Sequence, residues 1–255
     1  SVTSNRRGFP EMACFSGCFS GFKKPDLGGK VRLHYFDVWA KGSAIALALH
    51  HSGVDWEGEF PSAWKEMKSK TPFGELPVLE VPGYGLIGHE LAILNFLAWK
   101  VPVLAGQDDA ECAVSFQIVQ AAEDIYLKLT KYQNTMGIKD KCTLEELQAW
   151  WDGADETKHA RERGLNVELA FLEKMYLKAA AKLGNVGKFT KKGISIGECK
   201  LWTMLHCLVM IKPTVLLRFH GLNTFYTRFK AMEKTQDILK SGGKFPGTFK
   251  QYFIA

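Results

Sequence analysis

Residues 71–100 read TPFGELPVLEVPGYGLIGHELAILNFLAWK. The apolar run Leu76–Val81 carries a proline at its second position. A proline inside a buried strand cannot donate to the ladder, so it needs a reason, and the usual one is a cis bond that fixes a ligand-facing turn. Pro82-Gly83 suit the two central positions of a type II turn, and Leu86-Ile87 form a short returning strand. From His89-Glu90 the spacing changes to that of an amphipathic helix, with Leu91, Leu94, Leu97 and Ala98 on one face.

Upstream, Val31–Phe36 alternates apolar Val31, Leu33 and Tyr35 with Arg32 and His34, which predicts a strand. Ser43–His51 predicts a helix stopped by Gly53, and Val54–Phe60 a second strand, followed by a short helix near Trp64. A parallel strand pair of this kind places its crossover helix on one face of the sheet. After Lys100 strand signals nearly vanish. Helical spacing runs over Asp108–Gln133, Leu144–Trp151 and Arg161–Leu183, and a basic, glycine-rich loop covers Gly184–Gly197. Ser195 and Glu198 form a capping box opening the apolar helix Cys199–Ile211, which Pro213 ends. Further helices are expected at Thr214–Arg218, Leu222–Met232 and Thr235–Ser241.

A hydrophobic content of 46% with 24% charged residues is ordinary for a globular protein. No apolar run is long enough for a membrane span. The net charge of +6 is concentrated towards the start, where Arg6, Arg7, Lys23, Lys24 and Lys30 face only Glu11 and Asp26. The remainder is too dilute to argue for nucleic acid. The six cysteines, Cys14, Cys18, Cys112, Cys142, Cys199 and Cys207, match no zinc or redox spacing. No metal is expected, and reduced thiols in an intracellular compartment are the default; Cys14 and Cys18 are near enough to pair if the tail turns. Residues 1–29 have no apolar periodicity. A cleaved organelle-targeting segment and a docking extension both explain that stretch.

The run P-F-G-x-L-P-V-L-E-V, a turn and then a helix resembles the glutathione transferase family, and so does the capping box of the later buried helix. The resemblance covers residues 30–250. It implies an α/β thioredoxin-like N-terminal domain at 30–103 and an all-α C-terminal domain at 104–255, with 1–29 as an extension or processed tail. KVRLHYF, residues 30–36, looks like the first strand of the tyrosine-type transferases, especially the sigma class. Tyr35 falls on their catalytic tyrosine, whose hydroxyl hydrogen-bonds the thiolate of bound glutathione; an inward-facing strand aromatic is the plain alternative. The resemblance puts Trp64 and Lys68 at the glycine end of glutathione, and gives the cysteinyl unit to the backbone of Leu76, before Pro77. No cysteine or serine stands in Phe36–Ala40, which speaks against disulfide exchange and serine-type transfer.

The departures lie at the γ-glutamyl end. The family has Gln or Glu followed by Ser or Thr where this chain has His89-Glu90. Glu90 puts a negative charge where a carboxylate binds, or occupies the helix N-terminus with its own carboxylate. An acid expected near Phe116-Gln117 is absent, and the Arg common in the first helix region is Lys41. Trp150, Trp151, Trp202, Phe219, Phe225 and Phe229 either line an acceptor pocket or form core. Two functions fit. One is an enzyme conjugating glutathione to electrophilic apolar compounds, as in detoxification. The other is a catalytically weak or inactive transferase-like scaffold or accessory subunit, joining a homodimer or a larger assembly through the extension.

Overall fold

A computed structural model describes residues 25–254. Residues 1–24, with Cys14, Cys18 and most of the 1–29 extension, lie outside the described residues.

The first half is a four-stranded mixed sheet with helices. Its strands are β1 (Val31–His34), β3 (Trp56–Glu59), β4 (Val78–Val81) and β5 (Gly85–Gly88), in the order β3-β1-β4-β5. β1 pairs parallel with β3, while β4 is antiparallel to both β1 and β5. The crossover helix α1 (Lys41–Ser52) ends at Gly53 with φ 78°, a left-handed conformation that costs glycine nothing. α1 is buried almost all round, from Gly42 to Leu49, because it lies between the sheet and the helical half. α2 (Trp64–Lys68) is one short exposed turn of helix. The Leu76–Pro77 peptide bond is cis. The Tyr84 N–H donates to the Val81 carbonyl at 3.0 Å, with Gly83 at φ 77°, the geometry of the type II turn. α3 (Glu90–Lys100) follows, burying Ile93, Leu94, Leu97 and Ala98 and half-burying Leu91.

The second half is helical. α4 (Pro102–Ala105), which the spacing does not reveal, leads to α5 (Asp109–Tyr132), capped by Asp108. α6 (Leu144–Asp152) and α7 (Leu165–Leu183) come next; α7 starts four residues later than its spacing predicts, because Ala160–Glu162 form a separate 3₁₀ turn. α8 (Ile196–Ile211) opens on the capping box: the Glu198 N–H donates to Ser195 Oγ at 3.3 Å, and the Ser195 N–H to Glu198 Oε2 at 2.9 Å. The segment expected as a helix at 214–218 is a run of turns. α9 (His220–Ala231) and α10 (Glu233–Ser241) complete the layer. α5 and α8 pack against each other at its centre, and α8 packs on α1.

One apolar core runs through both halves. Trp150, Trp151, Trp202, Phe219, Phe225 and Phe229 are all buried in it, which makes them core rather than a pocket lining. The tail then returns to the first half, where β2 (Val38–Trp39) pairs in parallel with β6 (Lys250–Gln251). This is a thioredoxin-like domain followed by an all-α domain, the glutathione transferase fold.

Candidate functional site

β5 hands over to α3 through His89, whose backbone sits at φ 63°, ψ 127°. A non-glycine residue held there costs about 1–3 kcal/mol and persists only where its surroundings hold it. The exposed imidazole stacks on Phe73, ring centroids 4.3 Å apart. The turn delivers the next side chain, Glu90, into the interior, where it is 2% exposed.

Glu90 does not cap its own helix. Its Oε2 accepts from Lys200 Nζ of α8 at 2.5 Å. The same ammonium donates to Glu123 Oε2 of α5 at 2.7 Å, and Glu123 Oε1 accepts from Lys41 Nζ of α1 at 2.7 Å. Four helices, two from each half, thus meet at a chain of alternating charges. Lys200 and Lys41 also lie 4.9 and 5.3 Å from the centroid of the Tyr126 ring. Burial raises the Glu90 pKa, with Lys200 opposing it. Burial works the same way on Glu123, but Lys200 and Lys41 overcome it and hold that carboxyl below its ordinary range. For Lys200, burial disfavours the ammonium, and the two carboxylates outweigh it and raise the pKa.

Beside this chain a cavity of about 250 Å³ opens at the junction of the two halves. Lys41, Glu90 and Glu123 line it together with Leu76, Pro77 and His89. The structure thus brings four of the seven sequence-predicted site residues to one place. Tyr35 is 5% exposed and is not among the lining residues. Its ring packs against Gly42, beside the cavity residue Lys41; a Cβ on Gly42 would fall 2.1 Å from Tyr35 Cδ1. Burial raises the Tyr35 pKa, against the influence of the Gly42 N–H, so the phenol keeps its proton. Trp64 and Lys68 also lie outside the lining. Trp64 meets the Phe36 ring edge-on at 5.6 Å, and the Lys68 stem runs past Gly74.

Glu123 and Lys200 are the residues that pattern reading missed. Lys200 did carry a signal: it is the one lysine in the apolar helix IGECKLWTMLHCLVMI. A cation in such a helix needs a buried carboxylate partner. Cys112, Cys142, Cys199 and Cys207 are free thiols. Among the described residues no group of three or more His, Cys, Asp or Glu is placed to hold a metal, and no helix is long and apolar enough to cross a membrane.

No family model matches the sequence. The chain is similar to glutathione S-transferases nonetheless. It is 25% identical over 221 residues to glutathione S-transferase P 2 of Bufo bufo, covering 83% of this chain and 93% of that protein. Over 103 residues it is 34% identical to the probable glutathione S-transferase 6 of Caenorhabditis elegans, 40% of this chain and 49% of that one. Hematopoietic prostaglandin D synthase of Gallus gallus is 29% identical over 112 residues, 43% of this chain and 55% of that enzyme. Apart from the toad protein, the chain spans about half the length of these curated relatives. The Pi-class glutathione S-transferase of Onchocerca volvulus superposes with a TM-score of 0.66 at 23% identity, over 87% of this chain and 99% of that one. The prostaglandin synthase D of Nilaparvata lugens does so with a TM-score of 0.61 at 20% identity, over 83% and 98%.

Proposed function

We propose that this glutathione transferase-like protein binds glutathione, or a thiol peptide of its kind, in the junction cavity and conjugates it through its sulfur to electrophilic apolar compounds. The observation that carries this reading is the meeting of Leu76, cis-Pro77 and the start of α3 at that cavity. The backbone of Leu76 takes the cysteinyl unit, and Trp64 and Lys68, outside the cavity lining, are assigned to the glycine end. Tyr35 acts as in the sigma class. Its raised pKa keeps it a hydrogen-bond donor at neutral pH, the state in which it stabilises a thiolate. Tyr35→Phe should leave ligand binding nearly unchanged and lower turnover by roughly 10²-fold; unchanged turnover would make Tyr35 a core aromatic only.

Glu90 favours a second reading. Its carboxylate, buried against Lys200, stands where the resembled family has a Ser or Thr hydroxyl to hold a ligand carboxylate. A scaffold or accessory subunit, assembling as a homodimer or through residues 1–29, fits a site altered in this way. Retention on immobilised glutathione followed by an assay with a chlorinated aromatic acceptor separates the two. Retention with turnover supports the enzyme, and neither supports the scaffold.

A further inference from the structure

We infer that the junction cavity receives a primary ammonium group and disfavours a carboxylate, with Glu90 as the buried acceptor. The inference rests on the thiol-peptide reading above and sharpens it by naming which charged end of the ligand the cavity takes. Of the two Glu90 oxygens, Oε2 is engaged by Lys200, whereas Oε1 is buried with no hydrogen-bond partner. A buried carboxylate oxygen left without a donor is costly, and a ligand N–H removes that cost. Both Glu123 oxygens are already taken, by Lys41 and Lys200. The exposed carboxylate of Glu75 stands in the same lining. The charged groups at the cavity are therefore Glu75, Glu90 and Glu123 against Lys41, which is spent on Glu123, and Lys200 behind the lining, which is shared by Glu90 and Glu123, with His89 at the rim. An ammonium meets one buried acceptor without a partner, Glu90 Oε1, and the exposed carboxylate of Glu75 beside it. A carboxylate meets the charge of Glu75 and an oxygen of Glu90 that can only accept, with both lysines already engaged.

Titration calorimetry with two analogues of glutathione tests this. In 4-aminobutyryl-cysteinylglycine the γ-glutamyl unit keeps its amine and lacks its carboxylate; in glutaryl-cysteinylglycine it keeps the carboxylate and lacks the amine. The aminobutyryl analogue should bind at least about tenfold more tightly, and Glu90→Gln should bring the two close to equal. Equal binding, or tighter binding of the glutaryl analogue, overturns the inference. If Glu90→Gln does not fold, the ratio in the natural protein decides, supported by a smaller ratio in Glu75→Gln. If neither tripeptide binds, the thiol-peptide reading fails by itself, and 1,5-diaminopentane against glutarate becomes the comparison. Binding of the diamine alone, weakened in Glu90→Gln or Glu75→Gln, keeps the ammonium site. Absence of diamine binding ends it.

Discussion

Lys200 is 1% exposed and carries a charge, so its two carboxylate partners are a condition of the fold. Replacing such a network with apolar groups of similar volume is often harmless, but removing one member is not. Lys200→Met should therefore cost roughly 3–5 kcal/mol, because Glu90 then stays buried without a counter-charge. The double variant Lys200→Met, Glu90→Leu should recover most of the loss, although Glu123 then relies on Lys41 alone. Denaturant unfolding measures both; a single variant as stable as the natural protein would show that the network carries little. Two histidines, His51 buried and His206 partly buried, make stability fall in acid. Burial, helped by Lys230, lowers the His206 pKa to about 4, and burial, helped by Lys234, lowers that of His51 to about 3. Below pH 6.5 the unfolded chain takes up protons that the folded chain refuses, so stability falls with falling pH until the folded values are reached. Each histidine contributes a slope of about 1.4 kcal/mol per pH unit across its window. His206 stacks on Trp202 and accepts or donates a hydrogen bond at Tyr226 Oη. His206→Phe keeps the stacking and should flatten the decline between pH 6.5 and 4, as read from unfolding midpoints; an unchanged slope would assign the decline to other groups.

At the scale of elements, α1 ties the sheet to the candidate site. Gly42 lets this helix rest directly on the Tyr35 ring. Gly42→Ala forces a methyl group into that contact, an overpacking that should cost about 1–3 kcal/mol. The phenol must shift as well, so on the proposed enzyme reading turnover should fall further than the stability loss alone accounts for. Thermal unfolding and steady-state kinetics on the same variant check this, and a variant unaltered in both would mean that the ring moves aside freely. α8 approaches α5 as closely: a Cβ on Gly197 would fall 2.4 Å from the Ser115 carbonyl. That approach carries Lys200 to Glu123, so the capping box and the glycine after it help set the charge network.

Across the whole molecule, the last ten described residues hold the two halves together. Phe245, Phe249 and Phe253 are buried, β6 pairs with β2, and the Phe249 N–H donates to Asp37 Oδ1 at 2.7 Å. Trp39, beside them, donates from Nε1 to the Thr203 carbonyl of α8 at 3.2 Å and meets the Phe249 ring edge-on. Each buried phenylalanine is worth roughly 3–5 kcal/mol on truncation to alanine. A chain ending at Lys244 should therefore lose its cooperative thermal transition or unfold far lower. A transition within a few degrees of that of the full chain would show the tail to be an accessory.

Local chemistry settled much of this protein. The proline in Leu76–Val81, the Pro82-Gly83 turn, the helical spacing after His89 and the Ser195–Glu198 capping box each act within a few residues, and each is found where its spacing puts it. The tail strand, the 3₁₀ turn before α7 and the turns at 214–218 have weak local preferences and take their form from what they pack against. The site divides in the same way. His89 and Glu90 stood out in the chain because they depart from a pattern at fixed positions. That Glu90 pairs with a lysine 110 residues away, and shares it with a carboxylate from a third helix, depends on four helices converging. A side chain's neighbours along the chain say that a buried charge needs a partner, but its identity is fixed only when packing brings distant segments within hydrogen-bonding reach.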